Sequence, residues 1–364
     1  MTPGVSAPEP IVDVVVPIHD PTRRLDRAVA SLLHGDEPIR VTVVCHGIAA
    51  TTIDSQLPDD RARVRVVEFA DGIASPQGPF NHGIDLATAP FVMIMGSDDY
   101  LEPGAVAAWL EHVEAGGADI VLAPLRHQSG ELLLNPLSRP RRRTRLDPVR
   151  DRMFYRSAPL GLIRRDVLDE RGLRFTEGAQ TGGDQAVSLA LWTGGLRIDF
   201  DRRAPAYVIG SDARTRVTTT PRSMRVLAGP VFELLASERA RAQPARVRRS
   251  LATKLLRINV LGSIVPRTGV DAWSADDIAA TREAISSIVG FAPGGLDDLC
   301  RADRALIDEI SRPDVDTERI VAAIARHRSA GRFARTFPRT LSRSLSRESV
   351  LRRYANYAVV RWRP

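Results

Sequence analysis

The chain has 364 residues, 43% of them hydrophobic, enough for one large domain plus a smaller one and too apolar for a disordered protein. Its two cysteines, Cys45 and Cys300, lie far apart and form no CxxC pair, so neither a disulfide framework nor a zinc site is indicated. The net charge of +7 rests on arginine, Lys254 being the only lysine, and gathers at one end: from Arg328 onward ten arginines face Glu348 alone. The basic character is therefore a tail property, and nucleic acid is not an expected partner. No apolar run approaches the roughly 18 residues that span a bilayer. Met1 to Pro10 lacks the cationic start and apolar stretch of a secretory signal. The expected location is the cytoplasm, with the inner face of the membrane as a peripheral site.

In chain order, Ile11 to Pro17 reads as a buried first strand that Pro17 ends, and Leu25, Val29, Leu32 and Leu33 recur at helical spacing. Val41 to Cys45 and Val64 to Phe69 read as the next strands; Phe80, Ile84 and Leu86 suggest a short helix. The apolar run Phe91 to Met95 then ends in Gly96-Ser97-Asp98-Asp99, with Pro103 marking the approach of a helix from Val106 to Val113. Ile120 to Ala123 is a further strand. Strands alternating with helices predict a parallel sheet with crossover helices. In such sheets ligands sit beyond the carboxyl ends of the strands, where the Ser-Asp-Asp turn would lie. Hard cations take carboxylate oxygens, but solvated turns use the same residues, and both readings stand at this point.

Arg126 to Asp151 reads as an exposed, Arg-rich loop or hairpin, a candidate flap. Thr181-Gly182-Gly183-Asp184-Gln185 opens a helix that runs through Trp192 to Gly194. After about Pro221 apolar residues recur only at helical intervals, which predicts a C-terminal helical subdomain. The expected organisation is a flexible N-terminus over 1–10, an α/β domain over 11–220, a helical subdomain over 221–326 and a basic tail over 327–364. In the tail, Arg332, Arg335, Arg339, Arg343 and Arg347 take one helical face and Phe333, Phe337, Leu341 and Leu345 another. The spacing predicts a basic amphipathic helix, firmest from Pro338 to Arg347, that either docks on the core or lies on an anionic membrane.

Four pieces in one order, DVVVPIHD at 13–20, VTVVCHG at 41–47, SPQGPFNHGIDLATAPFVMIMGSDDYLEPGA at 75–105 and TGGDQAVSLALW at 181–192, carry a resemblance to the family 2 glycosyltransferases. The resemblance covers residues 11 to about 220. It implies an inverting enzyme with a GT-A nucleotide-diphospho-sugar transferase-like, Rossmann-type sheet. The implied donor is a nucleotide diphosphate sugar, with UDP as carrier. The implied acceptor is a hydroxyl of a cell-surface glycan, a teichoic-acid-like polymer or a lipid-linked precursor. Pro17, Ile18 and His19 match the loop that holds base and ribose, and Asn81 and Ser97 join them as donor-binding residues. Asp98 matches the aspartate that seats Mg or Mn on the diphosphate, with Asp99 supporting it. Asp184 matches the catalytic base, with Gly183 where an acidic residue often stands.

The chemistry suits these types. A carboxylate must take the proton of the attacking hydroxyl, and a cation must neutralise charge on the departing phosphate. Three positions depart from the pattern. Cys45 and His46 stand where an aspartate usually accepts from the uracil N–H, a contact that His46 reproduces in one tautomer only. Gly96 replaces the first aspartate of the Asp-x-Asp pair. No histidine follows the catalytic helix to complete the metal shell, which leaves Asp212 as a substitute ligand and Arg214 or Arg216 as diphosphate holders. Two competing readings follow: Asp184 as a plain helix N-cap, and the whole chain as a catalytically degenerate binding module in a glycan synthase complex.

Overall fold

The computed structural model describes residues 9–212 and 222–362. Most of the expected N-terminal segment 1–10, the expected boundary at 220, and both Arg214 and Arg216 lie outside the described residues. The chain divides into two compact units. The first comprises Met1–Asn135, Arg141–Leu146 and Arg156–Thr219, the second Pro136–Pro140, Asp147–Tyr155 and Thr220–Pro364.

The first unit is built on β1 (Val12–Ile18), α1 (Leu25–Leu33), β2 (Ile39–His46), β3 (Val64–Phe69), α2 (Gln77–Asp85) and β4 (Phe91–Ile94). Then come β5 (Tyr100–Leu101), α3 (Ala105–Gly116), β6 (Ile120–Leu122), β7 (Leu125–His127), β8 (Leu132–Leu133), β9 (Gly161–Arg164), α4 (Arg165–Glu170), α5 (Gln185–Thr193), β10 (Ile198–Asp199) and β11 (Tyr207–Ile209). A seven-stranded sheet runs β10-β6-β9-β4-β1-β2-β3, and a four-stranded one runs β5-β11-β7-β8. In the centre, Val14 faces Val41 on one side and Met93 on the other, both in parallel register. Val12, Val14, Val15, Val16 and Ile18 are wholly buried, so the strand reads as an unbroken apolar run rather than an alternating one. Helix α1 covers this core with Leu25, Ala28, Val29 and Leu32.

The expected all-parallel sheet is corrected in one place: β9 runs antiparallel to both β4 and β6. Its entry depends on Gly161, at φ 130°, where a Cβ would lie 2.1 Å from the Val121 carbonyl oxygen. Only glycine allows that approach.

One polar residue belongs to this core. Asp13 is fully buried in β1 and receives Arg40 through two bonds, Nε to Oδ1 at 2.6 Å and Nη2 to Oδ2 at 2.7 Å. The Thr88 and Ala89 amides donate to Oδ2 at 2.7 and 2.8 Å, tying the approach to β4 onto β1. Burial alone would raise the pKa, but Arg40 and the two amides outweigh it and hold the carboxyl below its ordinary 3.8. Its contribution is therefore present above about pH 4 and is lost as the pH falls through the lower folded-state value. Asp13→Ala should lower the unfolding free energy by about 3 kcal/mol, because it leaves a largely buried guanidinium and two amides unpaired. Denaturant titration at pH 7 checks this, and the gap to wild type should narrow in acid.

The second unit is helical, as its apolar spacing predicts. It contains α6 (Met224–Ala236), α7 (Glu238–Arg241), α8 (Ala245–Lys254), α9 (Gly262–Ile264), α10 (Ala275–Phe291), α11 (Arg301–Ile310), α12 (Thr317–Ser329), α13 (Arg332–Thr336) and α14 (Val350–Trp362). A π-helical stretch, Leu255–Leu261, joins α8 to α9. Ser274 and Asp277 form a capping box at the start of α10. Asp151 also belongs here and is no part of an open flap: it is fully buried and takes Arg139 at 2.9 and 2.7 Å.

The predicted amphipathic helix over Pro338–Arg347 does not form. Helix α13 ends at Thr336, Pro338 pairs with Cys300 in a β-bridge, and Leu341–Leu345 is a 3₁₀ turn. Proline removes an amide and breaks the helix where it stands. The arginines are also engaged: Arg339 with Asp308 at 2.5 Å, Arg343 with Asp297 at 3.5 Å, and Arg347 with the Arg150 carbonyl. The single helical face on which a membrane contact rested is absent. No described helix is long and apolar enough to cross a membrane.

Candidate active site

A cavity of about 680 Å³ opens beyond the carboxyl ends of β1 and β4. These neighbours are followed by chain running to opposite sides of the sheet, the switch point at which open α/β sheets bind ligands. Pro17, Ile18 and His19 line it from the end of β1, His46 from β2, and Gly96, Ser97, Asp98 and Asp99 from β4. The loop before α2 adds Gly72 to Gln77, and Asp184 stands at the mouth of α5. Asp98 and Asp184 thus share one cleft.

The two adjacent aspartates have different environments. Asp99 has both oxygens occupied: the Tyr207 hydroxyl donates to Oδ2 at 2.5 Å and the Gly210 amide to Oδ1 at 2.9 Å. Tyr207 in turn accepts the Gly96 amide at 3.0 Å. Burial and the Asp99 charge push the Tyr207 phenol well above its ordinary value, so it stays a donor. Asp98 takes Arg23 Nη1 on Oδ1 at 3.2 Å, and its Oδ2 accepts no hydrogen bond among the described residues. Asp99 is the brace and Asp98 the presented carboxylate.

Two glycines follow from this packing. A Cβ at Gly96 would come within 2.6 Å of Asp99 Oδ2, so a carboxylate cannot stand there while Asp99 keeps its bond to Tyr207. A Cβ at Gly183 would meet the Thr176 carbonyl oxygen at 2.8 Å, which excludes an acidic residue beside Asp184.

Near the end of β2, His46 Nε2 bonds Asp71 Oδ1 at 2.7 Å. Burial alone would raise Asp71, but His46 and the Ile73 amide outweigh it and lower its pKa. An ionised Asp71 makes Nε2 the donor and leaves Nδ1 as the acceptor. His19 is kept neutral by burial and by the Arg23 charge, both of which lower its pKa.

Asp184 occupies the cap position of α5 without a side-chain cap bond, so the plain N-cap reading does not describe it. Two expected site residues are corrected. Asn81 does not line the cavity: its amide group brackets the chain before α5, donating to Phe175 O at 2.9 Å and Glu177 Oε1 at 2.8 Å and accepting the Phe175 amide at 2.8 Å. Two of these three bonds hold the Phe175 backbone, and Phe175 does line the cavity. Asp212 also lies off the cavity, its carboxylate held by Arg27 Nη1 at 2.6 Å and Gln128 Nε2 at 3.0 Å. Arg27 also reaches the Asp98 carbonyl at 2.7 Å.

Among the described residues no group of three His, Cys, Asp or Glu side chains is arranged around a metal position. The donor set is one carboxylate oxygen, Asp98 Oδ2. It fits a hard divalent cation that takes its other ligands from diphosphate and water. Tyr207, Arg23, Asp71 and Gly210 carried no sequence signal, because their partners lie far away in the chain.

The family described as "Glycosyl transferase family 2" matches residues 13–172. This stretch is a family 2 glycosyltransferase domain. The chain is 29% identical over 126 residues to succinoglycan biosynthesis protein ExoO of Rhizobium meliloti, covering 34% of this chain and 35% of that protein. A poly(ribitol-phosphate) beta-glucosyltransferase of Bacillus spizizenii is 20% identical over 183 residues, 49% of this chain and 29% of that one. The chain spans about a third of the length of these curated relatives. In fold it is similar to S. aureus TarS 1–349 in complex with UDP-GlcNAc, with TM-score 0.70, 16% identity and coverage of 87% of this chain and 91% of that one. The fold of the glycosyltransferase domain is GT-A.

Proposed function

We propose that the chain is an inverting glycosyltransferase that moves a sugar from a nucleotide diphosphate donor, with UDP as carrier, to a hydroxyl of a phosphate-bearing or lipid-linked cell-surface glycan, working in the cytoplasm. The observation that carries the reading is Asp98 and Asp184 on the walls of one cavity at the sheet's switch point. The relatives lend support through what they are named for: a poly(ribitol-phosphate) glucosyltransferase, and a TarS fragment bound to UDP-GlcNAc.

In this reading Asp184 accepts the proton of the acceptor hydroxyl as its oxygen attacks the anomeric carbon, and the bond to the β-phosphate oxygen breaks. Asp98 Oδ2 would hold Mg or Mn, which when bound would supply charge neutralisation at the diphosphate. Arg23 adds a fixed cation beside it, and the brace of Tyr207 and Gly210 on Asp99 holds the turn in place. His46 Nδ1 is the acceptor offered to the base N–H, Asp71 having fixed the tautomer. Ser97, His19, Pro17 and Ile18 complete the donor side of the cavity.

The test is transfer from UDP-, GDP- and dTDP-sugars with Mn²⁺ to a phosphopolyol oligomer, with the product's anomeric configuration read by NMR. Inversion from a UDP-sugar is expected. Retention contradicts the roles given to the two aspartates, and binding of every donor with turnover of none favours the degenerate binding module.

A further inference from the structure

The helical unit holds a second cavity, of about 640 Å³, that the transfer reaction does not use. Four arginines line it: Arg257, Arg328, Arg335 and Arg353. Only Arg257 is neutralised, by Glu348 at 3.6 Å with the Tyr155 hydroxyl at 2.9 Å. Among the described residues no carboxylate lies within salt-bridge distance of Arg328, Arg335 or Arg353. The one acidic side chain on the wall, Asp303, is spent on His327 at 2.9 Å. Three unneutralised guanidiniums around one concavity repel one another, and an anion between them relieves that cost.

The wall is built rather than incidental. Arg257 comes from the π-helical stretch Leu255–Leu261, an irregularity that recurs at functional sites. Its side chain is 7% exposed, and its Nε is buried with no hydrogen-bond partner. The Arg353 guanidinium carbon stands 4.5 Å from the centroid of the Tyr155 ring, a cation–π contact that helps to place it. Tyr354 and Tyr357 also line the cavity and are 60% and 39% exposed, aromatic faces suited to a polyol or sugar ring.

We propose that this cavity binds a phosphodiester group of a phosphate-linked polyol chain, and so holds the acceptor by a segment other than the one being glycosylated. Guanidinium forks match phosphate oxygens in pairs, and the tyrosines accept the polyol between them. The inference rests on the phosphate-bearing acceptor proposed above. A flat anionic membrane is the weaker fit, since the charge lines a concavity and the tail forms no continuous amphipathic face.

Calorimetry of the full chain tests it without turnover, using a phosphodiester-linked polyol oligomer, a neutral dextran oligomer, inorganic phosphate, and vesicles of phosphatidylcholine with phosphatidylglycerol. Binding of the phosphodiester oligomer in preference to dextran and phosphate is expected. Arg328→Gln combined with Arg335→Gln should weaken it about tenfold or more, with the two Lys substitutions restoring much of it. Both residues are exposed, so the fold should persist; an unchanged melting temperature checks that. Equal binding by wild type and the double Gln variant, no binding of the oligomer, or binding of vesicles alone overturns the proposal. Hydrolysis of the UDP-sugar donor, measured alongside, reads the catalytic site separately: its loss in wild type counts against the proposed reaction, and its retention with an unchanged acceptor affinity in the variant counts against this cavity alone.

Discussion

Asp184→Asn should lower sugar transfer by about 10²–10⁴-fold at saturating donor, because an amide cannot take the proton of the attacking hydroxyl. Asn keeps the size and shape of the Asp side chain, so the substitution removes the base without opening space. The drop therefore belongs in kcat, with donor affinity unmoved. Steady-state kinetics beside a melting curve separates this from a folding defect. A variant that keeps full kcat removes Asp184 from the chemistry.

Gly210→Ala should be nearly as severe, for a geometric reason. The added Cβ would stand 1.8 Å from the Asp98 carbonyl oxygen and 3.0 Å from an Arg27 guanidinium nitrogen, so backbone must move. Overpacking of this kind costs about 1–3 kcal/mol. The displaced segment also carries the Gly210 amide that braces Asp99. A shift near 1 Å at the presented carboxylate is enough to lose about 10²-fold in rate. Gly290→Ala is the control: within α10 its Cβ meets nothing within 4 Å and no proline directly follows it, so about 0.5–1 kcal/mol of added stability is expected. Thermal melts and transfer rates of the two variants should diverge in both readouts.

What the sequence revealed is what is local. The run Val12–Ile18 announces a strand buried on both faces, and Leu25, Val29 and Leu32 announce the helix laid over it. The turn after β4 and the residue before α5 were legible because each sits where a strand or helix ends. The antiparallel β9 and the second sheet were not, since strands of two to four residues are too short to show a period. The brace on Asp99 escaped for another reason: Tyr207 lies 108 positions away, and only the pairing of β11 with β5 brings it back. Arg23 on Asp98 and Asp71 on His46 are likewise products of the fold. In the tail the arginine spacing was real but the helix was not, because Pro338 outweighed the pattern.

The central claim is a division of labour between two carboxylates in one cleft, Asp98 seating a cation on the diphosphate and Asp184 serving the acceptor. Titrating UDP, with and without Mn²⁺, into wild type, Asp98→Asn and Asp184→Asn tests it most directly. The account predicts that Asp184→Asn binds as wild type does, while Asp98→Asn loses the Mn²⁺-dependent gain in affinity. An Asp98→Asn variant that keeps that gain, or an Asp184→Asn variant that loses it, contradicts the account.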